Sequence, residues 1–158
     1  MTLVLKMLRN VDESVADWLP SRLPIIAAKF ALRHRIAVVL SPSPSVRANV
    51  IYRDSIEESQ SAFGFYSHFP SRRAVWAPPR CSGLIVVAAN LRPLAHRICE
   101  RREIVAETIC HELVHYEQWR DGRKPTERGV EQRAKALVRA MVRDMPQFLK
   151  RTSVQQTE

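Results

Sequence analysis

The H-E-x-x-H motif at residues 111–115 constrains this chain more than any other feature of its sequence. It comprises His111, Glu112 and His115, within a stretch that has the apolar spacing of a long helix. Histidines four residues apart lie on one face of a helix, so both imidazoles can bind one metal ion. A glutamate next to the first histidine lies close enough to accept a proton from water beside that ion. The motif therefore predicts a zinc site with Glu112 as general base.

The composition predicts a single globular domain, residues 1–158. Hydrophobic residues make up 46% of the chain and only four residues are glycine, which suits one packed core rather than a repeat or disordered protein. No apolar run approaches the roughly 18 residues that span a membrane, and the first residues lack the cleavage site of a secretory signal. Three cysteines without C-x-x-C spacing fit reduced thiols. We therefore expect a cytoplasmic monomer without membrane association.

The net charge of +9 comes mostly from arginine. Such a surplus can attract nucleic acid or acidic partners, although solvated arginine-rich faces produce it as well. No zinc-finger spacing, helix-turn-helix signal or basic motif with interleaved aromatics accompanies it. Nucleic-acid binding is therefore a secondary hypothesis that rests on charge alone.

Apolar periodicity and turn residues predict an α+β fold. Helical spacing is found at 11–19, 23–33, 101–120 and 126–143. Short β-branched or aromatic runs predict strands at 35–40, 49–53, 62–69 and 83–89, with a further short strand at 74–76. We expect N-terminal helices and a twisted, mostly antiparallel sheet of three to five strands. Pro146 is expected to stop the last helix and leave a frayed tail at about 147–158.

The third metal ligand must lie outside the motif, because a catalytic zinc ion has three protein ligands and one open position. All five histidines lie at or before position 115, which excludes a histidine downstream of the motif. Two carboxylates one turn apart on the last predicted helix remain, those of Glu127 and Glu131. Cys110 adjoins the motif but is turned about 100° away on the helix, so we expect a buried thiol rather than a ligand.

The segments HELVHYEQW and TERGVEQRAKAL resemble the gluzincin branch of the zincin metallopeptidases, and the resemblance covers about residues 83–143. In gluzincins a second helix donates a glutamate to the zinc, often at the head of an E-x-x-A-D pattern. Residues 131–134 match its first four positions, whereas Lys135 stands where an aspartate would orient the first histidine ligand. The resemblance implies Glu131 as the third ligand, with Glu127 as the alternative.

The same resemblance implies a zincin-like fold and hydrolysis of peptide bonds. Zn²⁺ would be held by His111, His115 and Glu131, with Glu112 as the base and a peptide or protein as substrate. The strand at 83–89 would be the edge strand with which the substrate backbone pairs. The residue types that could donate to the oxyanion are found at Tyr66, His68, His96 and Tyr116.

The alternative function is a zincin-like binding module. In that case the metal is structural or vestigial, and the basic surface associates with nucleic acid. The two functions differ in whether Glu112 is needed for hydrolysis.

Overall fold

The computed structural model describes residues 2–48, 51–52, 55–56, 60–68 and 80–150. Within these ranges the chain has four helices, a four-stranded mixed sheet and two two-stranded ribbons. The helices are α1 (Glu13–Ala16), α2 (Leu19–Ala27), α3 (Ile98–Arg120) and α4 (Val130–Asp144). The strands are β1 (Leu3–Met7), β2 (Ile36–Ser41), β3 (Val46–Ala48), β4 (Ile51–Tyr52), β5 (Ser55–Ile56), β6 (Gln60–Ala62), β7 (Gly64–His68) and β8 (Gly83–Ala88). The predicted α+β class is confirmed.

The main sheet has the strand order β1-β2-β8-β7. Strands β1, β2 and β8 run parallel, and only β7 is antiparallel to its neighbour. The expectation of a mostly antiparallel sheet is therefore wrong. The physical reason lies in β2 and β8, whose apolar residues are continuous rather than alternating and are almost all buried. Runs of this kind are typical of central parallel strands that are covered on both faces.

The strand at 83–89 also has a different place in the sheet from the one that the resemblance implied. Strand β8 lies between β2 and β7 and pairs with both of them, so it presents no open edge. In the part of the chain that the structure describes, the strand at this end of the sheet is β7, and it packs against α3.

Several element boundaries differ from the predicted ones for local reasons. The helix predicted at 23–33 begins at Leu19. Pro20 lies in its first turn, where backbone N–H groups have no partner within the helix, so the missing N–H of proline costs no hydrogen bond. The helix predicted from 126 begins only at Val130, since the preceding Gly129 adopts a left-handed φ of 77°. Glu127 therefore lies in the loop before α4. Strand β1 was not predicted.

One continuous core extends from Val15 to Phe148. It includes the side chain of Phe148, which is fully buried, although we predicted fraying from about residue 147. The Phe148 carbonyl accepts hydrogen bonds from Trp18 Nε1 at 2.6 Å and from Arg22 Nε at 2.8 Å. These bonds hold the chain after Pro146 against the N-terminal helices.

Some predictions concern residues outside the described ranges. They are the short strand at 74–76, parts of the strands at 49–53 and 62–69, and the tail from 151 onward. None of the helices in the described ranges combines the length and the apolar character that a bilayer-spanning segment requires.

Candidate metal centre

Helix α3 carries the motif, as predicted, and its helical geometry brings the two histidines together. The Nε2 atoms of His111 and His115 lie 3.2 Å apart, and both side chains are partly buried. Burial lowers the pKa of His111, and the neighbouring His115 lowers it further. A lowered pKa favours the neutral imidazole, which is the form that binds a metal ion.

The third side chain in this group is that of Glu127. Its Oε2 lies 3.2 Å from His111 Nε2, and its Oε1 lies 3.0 Å from His115 Nε2. Among the described residues, His111, His115 and Glu127 form the one group of three potential ligands whose donor atoms lie within 4.8 Å of one another. The carboxylate enters from the loop between α3 and α4, which is exposed to solvent.

Glu131, the ligand that the resemblance implied, is not a member of this group. Its Oε1 lies 2.6 Å from Lys135 Nζ, one turn further along α4. Hydrogen bonding to that ammonium lowers the pKa of Glu131. The geometry therefore favours the alternative ligand, Glu127, because α4 begins after the loop that carries it.

The donor set fits a zinc ion. With metal–ligand distances of about 2.0–2.1 Å in a tetrahedral site, neighbouring ligand atoms lie about 3.3 Å apart. The two Nε2 atoms lie 3.2 Å apart, and each lies 3.0–3.2 Å from a different oxygen of the Glu127 carboxylate, which are separations close to that value. Two imidazole nitrogens and one carboxylate oxygen are also a ligand set that zinc accepts, with a fourth position left for water.

Glu112 lies against strand β7 and is 6% exposed. Burial raises its pKa to about 8, and the negative charge of Glu127 contributes in the same direction. The backbone N–H of Tyr66 donates a hydrogen bond to this carboxylate and partly offsets the shift. A carboxylate with a pKa near neutrality can both accept and return a proton.

Gly64 permits the close approach of β7 to this part of α3. A Cβ atom at Gly64 would lie 2.5 Å from Thr108 Cγ2, 2.9 Å from the Val86 carbonyl oxygen and 3.6 Å from Glu112 Cγ. Only a residue without a side chain fits there. The contact therefore brings the backbone of β7 beside Glu112.

Gln118 is a buried polar residue that the sequence interpretation missed. Its amide hydrogen-bonds to His115 Nδ1 and to both backbone groups of Thr126, the residue before Glu127. The available signal was its position three residues after His115, which places the two side chains on the same helix face. The sequence did not show that the loop would return to this glutamine.

The structure accounts for two other residues near the motif. Tyr116, one of the candidate oxyanion donors, is fully buried, and its hydroxyl accepts the N–H of Arg33 at 2.9 Å and lies 3.0 Å from His34 Nδ1. Its hydroxyl is thus bonded to the chain before β2. Cys110 is buried, as expected, and burial raises the pKa of its thiol to about 12.

Comparisons of the chain with protein-family models, curated proteins and solved structures found no match.

Proposed function

We propose that this protein is a zinc-dependent metallopeptidase. One observation carries the proposal: three side chains of residue types that bind zinc, those of His111, His115 and Glu127, come together. The two histidines lie on α3, which also carries Glu112. A motif that arose by chance would give two histidines on a helix face. It would not by itself bring a carboxylate from the following loop to within 3.2 Å of both histidine nitrogens.

When bound, a zinc ion lowers the pKa of a water ligand and polarises a substrate carbonyl. The protein contributes the base. Glu112 accepts the proton of the attacking water and passes it to the leaving amine, which is the role of a general acid–base residue. Its burial beside β7, and its hydrogen bond from the Tyr66 N–H, hold the carboxylate in a fixed place for both transfers.

Strand β7 supports a peptide as substrate. It is the terminal strand of the described sheet, it packs against α3 as β8 also does, and it runs antiparallel to β8. Main-chain hydrogen bonding to a strand is one way in which proteins bind extended peptides, and in β7 the N–H of Tyr66 already donates to Glu112. The same strand contacts Glu112, so a bound backbone would lie near the proposed base.

The test combines metal analysis with a substitution of the base. The wild-type protein is expected to bind one zinc ion per chain and to cleave members of a quenched-fluorescence peptide library. Glu112→Gln should keep the zinc and lose roughly 10²- to 10⁴-fold in cleavage rate. Glu100→Gln, an exposed glutamate near the start of the same helix, is the matched control and should retain full activity.

Two results would count against the proposal. Cleavage that persists in Glu112→Gln would exclude the mechanism, and a wild-type protein that does not bind zinc would exclude the site. Zinc binding without cleavage of any peptide would instead favour the binding module with a structural metal. In that case the +9 charge predicts affinity for DNA that falls as salt concentration rises.

A further inference from the structure

The side chain of Gln118 connects the two parts of the chain that supply the candidate ligands. It is 5% exposed. Its Nε2 donates to the Thr126 carbonyl at 3.0 Å, and its Oε1 accepts the Thr126 N–H at 3.2 Å. The same Oε1 lies 3.0 Å from His115 Nδ1. One amide thus contacts a ligand on α3 and the loop residue that precedes Glu127.

The backbone of Thr126 determines the orientation of this amide. A backbone N–H can only donate and a backbone carbonyl can only accept. If the amide of Gln118 were turned over, its NH₂ would face an N–H and its oxygen would face a carbonyl, and both bonds would be lost. The oxygen is therefore the atom next to His115 Nδ1.

The orientation of the amide in turn determines the tautomer of His115. Since Oε1 is an acceptor, Nδ1 must carry a proton and donate it. In the neutral ring, Nε2 then has a lone pair. That lone pair faces Glu127 Oε1 at 3.0 Å and His111 Nε2 at 3.2 Å. A nitrogen lone pair and a carboxylate oxygen at this distance repel one another unless a proton or a metal cation lies between them.

We infer that Gln118 is the positioning residue of this site: it holds His115 in the Nδ1–H tautomer and, through Thr126, places the carboxylate of Glu127 opposite the free Nε2. The inference deepens the proposed function and rests on it for the identity of the ion. The contact between Gln118 and Thr126 also explains how the exposed loop before α4 holds the Glu127 carboxylate in one place. Residues 121–129 are all exposed, whereas Gln118, which bonds to Thr126 in this loop, is buried.

The first arm of the experiment needs no metal. Nitrogen-15 spectra of histidine-labelled, metal-free protein at alkaline pH report which ring nitrogen carries the proton. In the wild type, His115 is expected as the Nδ1–H tautomer. In Gln118→Leu the acceptor is gone, so the Nε2–H tautomer should increase. In Gln118→Glu, a carboxylate oxygen still accepts from Nδ1–H, and the wild-type tautomer should persist.

The second arm measures zinc affinity by competition with a chelating dye. Loss of a hydrogen-bond partner of a ligand typically weakens metal binding by about 10- to 100-fold, and we expect this for Gln118→Leu. Gln118→Glu should lose less, because it keeps an acceptor for Nδ1–H of His115, although its second carboxylate oxygen faces the Thr126 carbonyl at the position of the lost donor. Gln132→Leu, an exposed glutamine on α4, is the control and should match the wild type.

A double-mutant cycle separates positioning from general stability. If Gln118 acts through the Glu127 loop, Gln118→Leu should weaken zinc binding much less in a Glu127→Ala background than in the wild type. Equal fold-changes in the two backgrounds would overturn the coupling to the loop. An unchanged His115 tautomer in Gln118→Leu would overturn the tautomer assignment.

The two arms also distinguish this inference from the proposed function. If the wild type binds no zinc, the proposed function fails, and the histidine spectra still decide the role of Gln118. If Gln118→Leu does not fold, the comparison of Gln118→Glu with the wild type decides it in its place: a lost Nδ1–H tautomer in that variant would contradict the assignment.

Discussion

Lys135 Nζ lies 2.6 Å from Glu131 Oε1, one helical turn apart on the exposed side of α4. Lys135 thus binds the Glu131 carboxylate, which the gluzincin resemblance implied as a metal ligand. Lys135 also stands where that pattern has an aspartate. The helix thus carries an ion pair where the resemblance implies a ligand and its partner, and Glu127 in the preceding loop lies at the histidines.

Removing each carboxylate in turn should identify the ligand. Glu127→Ala is expected to weaken zinc binding by more than about 100-fold, since even the hydrogen-bond partners of ligands typically contribute 10- to 100-fold. Glu131→Ala should change the affinity little, because its carboxylate is bonded to Lys135. Zinc competition with a chelating dye measures both variants.

Lys135→Ala is the control for this pair. It releases Glu131 without altering the loop, and zinc affinity should remain near that of the wild type. A large loss in Glu131→Ala together with a small loss in Glu127→Ala would reverse the assignment and support the resemblance.

Gly64→Ala should disturb the contact between β7 and α3. The new Cβ would lie 2.5 Å from Thr108 Cγ2 and 2.9 Å from the Val86 carbonyl, and such overpacking typically costs about 1–3 kcal/mol. Chemical denaturation measures this loss of stability. Because Glu112 lies at the same contact, peptide cleavage should decrease as well, whereas zinc binding should be retained.

A second substitution at Thr108 should partly restore the stability lost in Gly64→Ala. Thr108→Ser removes the methyl group at the closest approach, so the double variant Gly64→Ala/Thr108→Ser should recover part of the lost stability. If Gly64→Ala is as stable as the wild type, the close packing of β7 on α3 is not present in solution.

Phe148→Ala should destabilise the whole protein. The ring is fully buried and makes an edge-to-face contact with Trp18, with centroids 5.9 Å apart. Truncation of a buried phenylalanine typically costs about 3–5 kcal/mol. Phe63→Ala is the matched control, since Phe63 is 45% exposed and its loss should have a small effect on the free energy of unfolding. Equal stabilities of the two variants would show that the chain beyond Pro146 does not pack on the core.

Stability should fall at acid pH because of Asp12. Burial alone would raise the pKa of Asp12, but hydrogen bonds from Ser14 and the charges of Arg101 and Arg92 outweigh it and lower the pKa below 3.8. Oδ2 of Asp12 lies 2.9 Å from Arg101 Nε, and both side chains are buried. A lowered pKa means that the native state binds the proton less readily than the unfolded chain. The stabilisation is therefore complete above 3.8 and is lost as pH falls below it.

Asp12→Asn tests this pH dependence. At neutral pH the substitution removes the carboxylate that pairs with the buried Arg101, a loss that typically costs up to about 3–5 kcal/mol, while Nη1 keeps its bonds to the Ala95 and His96 carbonyls. The difference in unfolding free energy from the wild type should shrink as pH falls below 3.8 and Asp12 becomes protonated. Asp144→Asn, at an exposed ion pair with Arg143, should show no such trend. A difference that stays constant from neutral to acid pH would contradict the prediction.

The sequence alone determined the features that depend on neighbours along the chain. Four-residue spacing is sufficient to place His111 and His115 on one face of α3, because helical geometry repeats every 3.6 residues. The strands β2 and β8 were also predicted from local sequence, since a short β-branched run between turn residues favours a strand. The absence of histidines after position 115 also limited a third ligand from downstream of the motif to other residue types.

Only the tertiary structure decided which carboxylate reaches the histidines, which strand ends the described sheet and where the chain after Pro146 packs. Glu127 and Glu131 are four residues apart, and the sequence favoured Glu131 as the ligand with Glu127 as the alternative. The choice depends on the path of the loop from α3 to α4, which is exposed and is held by Gln118 through the backbone of Thr126. Contacts of this kind form between segments whose relative position is set by the packed core, and local preferences do not encode that position.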